Sequence, residues 1–236
     1  MARPKLEVAE TALRQVADLG FRPSDVRHVV PTHLDLDHAG GIGDFPAAAV
    51  HVFAAELSAA SNPSLTERSR YCAAQIAAVK QWAPVKEEGD SWFGFSAVRA
   101  IPGTRDEVLL IPLPGHTRGH CGVAVRRSDD WLLHSGDAYF HHSEVAPGGD
   151  AAPRGLRLFE RLASVNNAQR VANQARLREL ARLAGGEVKL ISSHEVAEFA
   201  AMRSEQRESP PEAPPASRPA SAPRRPAQGD VRASGR

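Results

Sequence analysis

A chain of 236 residues with a hydrophobic fraction of 42% and a charged fraction of 24% fits one sizeable globular domain, alone or with a tail. The formal net charge of +1 offers no broad field to gather nucleic acid or an anionic membrane, and no apolar run approaches the roughly 20 residues of a membrane span. Residues 1–20 show no apolar signal region, and the two cysteines, Cys72 and Cys121, form no disulfide framework, so a cytoplasmic protein is expected.

In chain order, Leu6, Ala9, Leu13, Val16 and Ala17 recur at helical spacing, and Gly20 ends that helix. Pro23-Ser24-Asp25 makes a turn, and residues 26–30 are β-branched enough for a buried strand. Residues 37–43 read as a loop running into a short helix, residues 50–53 as a strand, and the alanine-rich stretch after them as a helix. Between 61 and 81 the helical pattern falls in the later part, over 71–82. Residues 82–101 mix aromatics, glycine and charge without a period; this suits an insertion over an active site, although such stretches more often cover a core. Strands are expected over 108–113, 122–126, 131–133 and 188–191. The clearest helix is 165–184, with Val171, Leu177, Leu180, Ala181 and Ala184 on one side and Gly185-Gly186 at its end. The expected domain covers 1–203. From 204 to 236, and above all over 209–236, proline, alanine, serine and arginine dominate. That composition cannot bury enough surface to offset its ordering entropy, which predicts a disordered tail.

Histidine is the unusual count, at ten, and several cluster with aspartate as in sites for borderline metals. His33, Asp35, Asp37 and His38 follow directly on the strand expected over 26–30. Residues two apart on extended chain project to one side, so His33 and Asp35 can hold one ion together. Asp37 and His38 stand at the next turn, where the backbone can aim them at a second ion, and Gly40-Gly41 let the chain bend beneath them. The plain alternative is a polar cluster at a strand end. For His120, His141 and His142, ordinary packed or exposed histidines compete with pocket-lining roles. Tyr139 reads as a core tyrosine and Cys121 as a small buried residue.

Around these residues the sequence resembles the metallo-β-lactamase superfamily. Its signature, His-x-His-x-Asp-His after a strand, is matched by His33 to His38 except that Asp35 stands at the second histidine. Pro114-Gly115-His116-Thr117, Ser135-Gly136-Asp137 and Ser193-His194 match the later ligand segments in the family's order, and the resemblance spans about residues 13–199. It implies an α/β fold, a four-layer αββα sandwich with metals at one edge between the sheets. It also implies two divalent ions, Zn2+ first and Fe or Mn as alternatives because the extra carboxylate hardens the site. His33, Asp35 and His116 would hold the first ion and Asp37, His38 and His194 the second, with Asp137 between both. The implied reaction is attack of a metal-bound hydroxide on an ester, lactone, thioester or amide carbonyl, with Asp37 as catalytic proton acceptor or as a metal ligand alone. The acyl-homoserine lactonase-like branch is the most similar, with a small-molecule substrate and no nucleic acid or membrane partner. A phosphodiesterase of the same fold and a non-catalytic metal-binding remnant are the rival expectations. In the family a β-hairpin region precedes the first helix. This chain begins almost at that helix, so the first sheet is expected to be incomplete at its N-terminal end.

Overall fold

The structure, a computed structural model, describes residues 7–149 and 152–208. A 3-10 turn at Val8–Glu10 leads into α1 (Ala12–Asp18), whose start is capped by the Thr11 hydroxyl accepting from Arg14 N. Gly20, at φ +86°, ends the helical segment as the sequence predicts.

Two sheets follow. The first is parallel, in the order β1 (His28–Val29), β2 (Ala49–Phe53), β3 (Trp82–Val85), and its crossovers carry α2 (Ala54–Ser61) and α3 (Ala73–Ala78). The second has six strands side by side in chain order: β4 (Asp90–Trp92), β5 (Phe95–Ala100), β6 (Val108–Pro112), β7 (Cys121–Arg126), β8 (Trp131–His134) and β9 (Val188–Ile191). They are antiparallel up to β8. The chain then leaves through α4 (Arg154–Ala163) and α5 (Asn167–Leu183), and β9 pairs with β8 in parallel. The last described helix is α6 (Val196–Glu208).

The layering follows from side-chain alternation. On β6, Leu109 and Ile111 pack with Leu133, Leu177, Leu180 and Ala184, toward α5, while Leu110 between them packs with Phe53, Ile101 and Cys121, toward the first sheet. On β2, Val50 and Val52 turn the other way, onto Leu57, Ile76 and Val79 of the α2–α3 side. Helices, sheet, sheet and helix therefore stack as the expected αββα sandwich. A strand buried on both faces reads as an apolar run, as Val108-Leu109-Leu110-Ile111 does.

Some expectations are revised. Of the two uses expected for residues 82–101, covering an active site is not the one found: they form β3, β4 and β5, and Trp92 packs on the main core beside Trp131. Their signals are weak because β3 is an edge strand that tolerates Pro84, and because the β4–β5 turn is Phe93-Gly94 at φ +42° and +80°. The helix expected over 71–82 contracts to α3, and Val171 is exposed on α5. α6 runs past the domain boundary placed at 203, and residues 209–236, the main part of the expected tail, lie outside the described residues. Among the described residues no helix is long and apolar enough to cross a membrane.

Candidate metal centre

The loops after β1, β6, β8 and β9 converge at one edge of the sandwich, where they carry all seven donors singled out in the sequence. Backbone bonds tie the loops together: Cys121 N donates to Thr32 O at 2.9 Å, Ser135 N to Ile191 O at 2.7 Å, and Ser193 N to Gly136 O at 3.0 Å.

Two buried side chains brace these loops: Glu56, which carries no signal in the sequence, and His120, for which a place at the site competes there with ordinary packing. Glu56 of α2 is fully buried; its Oε1 accepts from Leu34 N at 3.0 Å, and its Oε2 from Thr117 Oγ1 at 2.6 Å and Gly119 N at 3.0 Å. One carboxylate thus fixes both the His33–His38 loop and the His116 loop. The approach is so close that a Cβ at Gly119 would lie 2.3 Å from Glu56 N. His120 donates from Nδ1 to Leu113 O at 2.9 Å, and its Nε2 accepts from Asp137 N at 2.9 Å. Burial pulls its pKa well down, which favours the neutral ring that this pairing needs.

The donors form two positions that share Asp137. In the outer one, His38 Nε2 lies 3.7 Å from Asp37 Oδ2 and 3.4 Å from Asp137 Oδ1. His194 Nε2 lies 4.0 Å from Asp37 Oδ2 and 3.3 Å from Asp137 Oδ2. In the inner one, His33 Nε2 lies 3.6 Å from Asp35 Oδ2 and 3.9 Å from Asp137 Oδ2. His116 Nε2 lies 3.1 Å from Asp35 Oδ2 and 3.6 Å from Asp137 Oδ2. Ligand atoms of a four-coordinate ion stand about 3.3–3.6 Å apart when the bonds are ~2.0–2.2 Å, so both sets have a metal's dimensions.

A second observation tests the fit. His33 Nε2, His38 Nε2 and Asp137 Oδ1 are buried and have no hydrogen-bond partner among the described residues. An unsatisfied buried polar atom costs roughly 1–3 kcal/mol; a cation at the outer position would satisfy His38 Nε2 and Asp137 Oδ1, and one at the inner position would satisfy His33 Nε2. Burial opposes charge on Asp35 and Asp137. The imidazoles of His116 and His33 close to Asp35, together with the Arg70 guanidinium, and those of His194 and His38 close to Asp137 outweigh it and hold both carboxyls well below the usual range. The donor set is therefore anionic oxygen with imidazole nitrogen, which suits a borderline divalent ion.

The inner position also holds a residue that the sequence did not point to. Arg70 forks onto Asp35, with Nε donating to Oδ1 at 2.9 Å and Nη2 to Oδ2 at 2.5 Å, and Nη2 lies 2.8 Å from His116 Nε2. At the outer position Phe140 stacks on His194, with centroids 5.1 Å apart and planes parallel to within 1°, and half-exposed Phe159 of α4 packs edge-on against Phe140. His141 and His142 lie apart from both positions in a separate group with Glu195, where His142 Nδ1 is 3.0 Å from Glu195 Oε2. Tyr139 is buried and donates to Glu198, in keeping with a core role.

The family model described as "Metallo-beta-lactamase superfamily" matches residues 6–192. A probable metallo-hydrolase of Mycobacterium tuberculosis is 43% identical over 194 residues, which are 82% of this chain and 62% of that protein. An N-acyl homoserine lactonase of Rhizobium johnstonii is 32% identical over 159 residues, covering 62% of this chain and 55% of the lactonase. Among solved structures, an N-acyl homoserine lactone hydrolase with N-hexanoyl-L-homoserine bound at its catalytic metal center superposes with a TM-score of 0.62 at 18% identity. That match covers 84% of this chain and 67% of that one, a likeness of fold. The chain thus spans less than two thirds of the length of these curated relatives.

Proposed function

This chain belongs to the metallo-β-lactamase superfamily, and from that premise we propose that it is a metal-dependent hydrolase of an acyl carbonyl, an ester, lactone, thioester or amide. The observation that carries this reading is the outer position: Asp37, His38, His194 and Asp137 bring four donors to a metal's spacing, with no Lys or Arg hydrogen-bonded to them among the described residues. Zn2+ is the first choice of ion, since imidazole with carboxylate suits it; iron and manganese follow.

When bound there, the ion supplies a Lewis acid and an acidified water near neutral pH. The protein's own groups do the rest. Asp37, 57% exposed at the mouth, would take up the proton on its other oxygen, Oδ1, with Oδ2 left to hold the ion. Glu56 and His120 hold the donor loops at fixed spacing, so little reorganisation is needed as the reaction proceeds. Phe140 and Phe159 line the mouth with aromatic surface beside His194, which favours a substrate with an apolar acyl part over a phosphodiester. An acylated lactone is therefore the first compound to try.

The test is a hydrolysis screen over acyl lactones, thioesters, simple esters and phosphodiesters, using Zn2+-loaded protein and a chelator-treated control. Lactone or ester turnover that disappears on chelation is the expected result. Turnover of phosphodiesters alone would reassign the reaction. Metal binding with no turnover of any class would mark a binding domain.

A further inference from the structure

We propose that the Arg70 guanidinium takes the inner metal position, so that this chain carries one ion, at the outer position, in place of the two that the family resemblance implies. The proposal rests on the metal-centre reading above and changes its stoichiometry.

Arg70 is built into the site. Its side chain is 14% exposed, and it is held on three sides: by the two-pronged pair with Asp35, by His116 Nε2, and by the Ala163 carbonyl, which accepts from Nη1. Its backbone is fixed as well. Leu36 N donates to Arg70 O at 2.8 Å, and Arg70 N donates to Glu67 O at 2.9 Å. Buried Glu67 is in turn gripped by Ser64 and by Arg118, which stands on the His116 loop. The guanidinium is thus aimed by the same loops that carry the ligands, at little entropic cost for a planar fork.

Three arguments set the guanidinium against an ion. The first is lone-pair arithmetic. His116 Nε2 lies 2.8 Å from Arg70 Nη2 and 3.1 Å from Asp35 Oδ2, so in one tautomer its single in-plane lone pair accepts from the guanidinium and in the other the nitrogen carries a proton donated to Asp35; neither leaves a lone pair for a metal. The second is support. A metal-binding histidine almost always donates its other ring N–H, yet His116 Nδ1 is buried without a partner. The third is charge. Asp35, Asp37 and Asp137 carry three negative charges; one divalent ion and one guanidinium balance them, whereas two ions and the guanidinium would leave two positive charges unbalanced at one largely buried spot. The departure at Asp35 then has a physical reason. A histidine there could not fork with an arginine, and an arginine there could not lie against three imidazoles. Asp35 and Arg70 together replace a ligand and its metal with a fixed ion pair. His33 Nε2, the inner donor that Arg70 leaves unengaged, is what would let an ion return if the guanidinium were removed.

The experiment counts ions. Full-length protein is stripped, titrated with Co2+ and analysed for bound metal after desalting, alongside Arg70→Met and Arg70→Lys. The expected result is about one ion per chain in the wild type and in Arg70→Lys, and about two in Arg70→Met, with exchange-coupled Co2+ spectra only in the last. Two tightly held ions in the wild type overturn the proposal, and that count needs no variant to fold. One ion in both the wild type and a folded Arg70→Met also overturns it, because Arg70 would then not be what excludes the second. No ion in any of the three overturns the hydrolase reading together with this one. A further readout, the Arg70 Nε–H resonance identified by its loss in Arg70→Lys, stays protected from solvent exchange after Co2+ loading if the pair with Asp35 survives.

Discussion

The inner and outer positions use the same chemistry, two histidines and two aspartates each with Asp137 shared, and they end up as different objects. At the outer position the donors are partly open to solvent, and among the described residues no Lys or Arg stands among them and His38 Nε2 is left without a partner. At the inner position the donors are nearly enclosed, and a guanidinium already satisfies Asp35 and His116. A ligand motif therefore states which groups converge. Whether an ion completes them depends on the cations that the rest of the fold delivers to the same spot.

The largest effects should follow from the outer donors. His38→Ala and Asp137→Ala are expected to lose the bound ion and to lower hydrolysis by about a thousand-fold or more, since each removes a ligand from a four-donor set. His116→Ala, on the inner side, is expected to keep the ion and to lose far less activity. Metal analysis and initial rates on the same samples check the contrast. Equal loss of metal in His116→Ala and His38→Ala would erase the distinction between the positions.

The next effect comes from the brace common to both. Glu56→Ala would strand Leu34 N, Gly119 N and the Thr117 hydroxyl in the interior. At roughly 1–3 kcal/mol for each unsatisfied group, partly relieved by relaxation, a loss of about 3 kcal/mol is expected in urea unfolding. Metal affinity should fall as well, because both ligand loops lose their anchor. Unchanged stability would mean that water replaces the carboxylate without cost.

Much of this was legible in the sequence, and what was not has a common cause. The four ligand segments, the strands β6 to β9 and the helix α5 all carry local signals: turn glycines, apolar runs, a Gly185-Gly186 stop. Glu56 carries none, since one glutamate in an alanine-rich helix looks like a solvated residue until α2 lies behind two loops. Arg70 carries none either. It is 35 residues from Asp35 and sits in an irregular segment, so only the fold brings them together. The Asp35 departure was visible, and its partner was not. Phe93-Gly94 hid a hairpin because the usual sign of such a turn is Asn-Gly or Asp-Gly.

The last expected effect, a pH dependence, lies beneath the mouth of the outer position. Glu160 of α4 is fully buried, and burial, reinforced by neighbouring Glu144, pushes its pKa up to about 8; Arg170, whose Nη1 is 3.3 Å away but without hydrogen-bond geometry, only partly offsets this. Glu144 accepts from Phe140 N, so the pair supports the ring that stacks on His194. The sign follows from proton linkage. An unfolded glutamate titrates near its ordinary value of 4.5, while the folded state holds its proton up to about 8. Between those values the folded state binds more protons than the unfolded one, so the stability from this group is full below about 4.5 and is lost as the pH rises through about 8. Glu160→Gln keeps a neutral polar side chain of similar shape and cannot ionise. Its urea midpoint should therefore fall less than that of the wild type between pH 5.5 and 8.5, and it should be the more stable protein at the upper end. Parallel curves for the two proteins would show that Glu160 ionises normally in the fold, with Arg170 as a true partner. In that case the floor under Phe140 is an ion pair and the outer position has no proton-linked support.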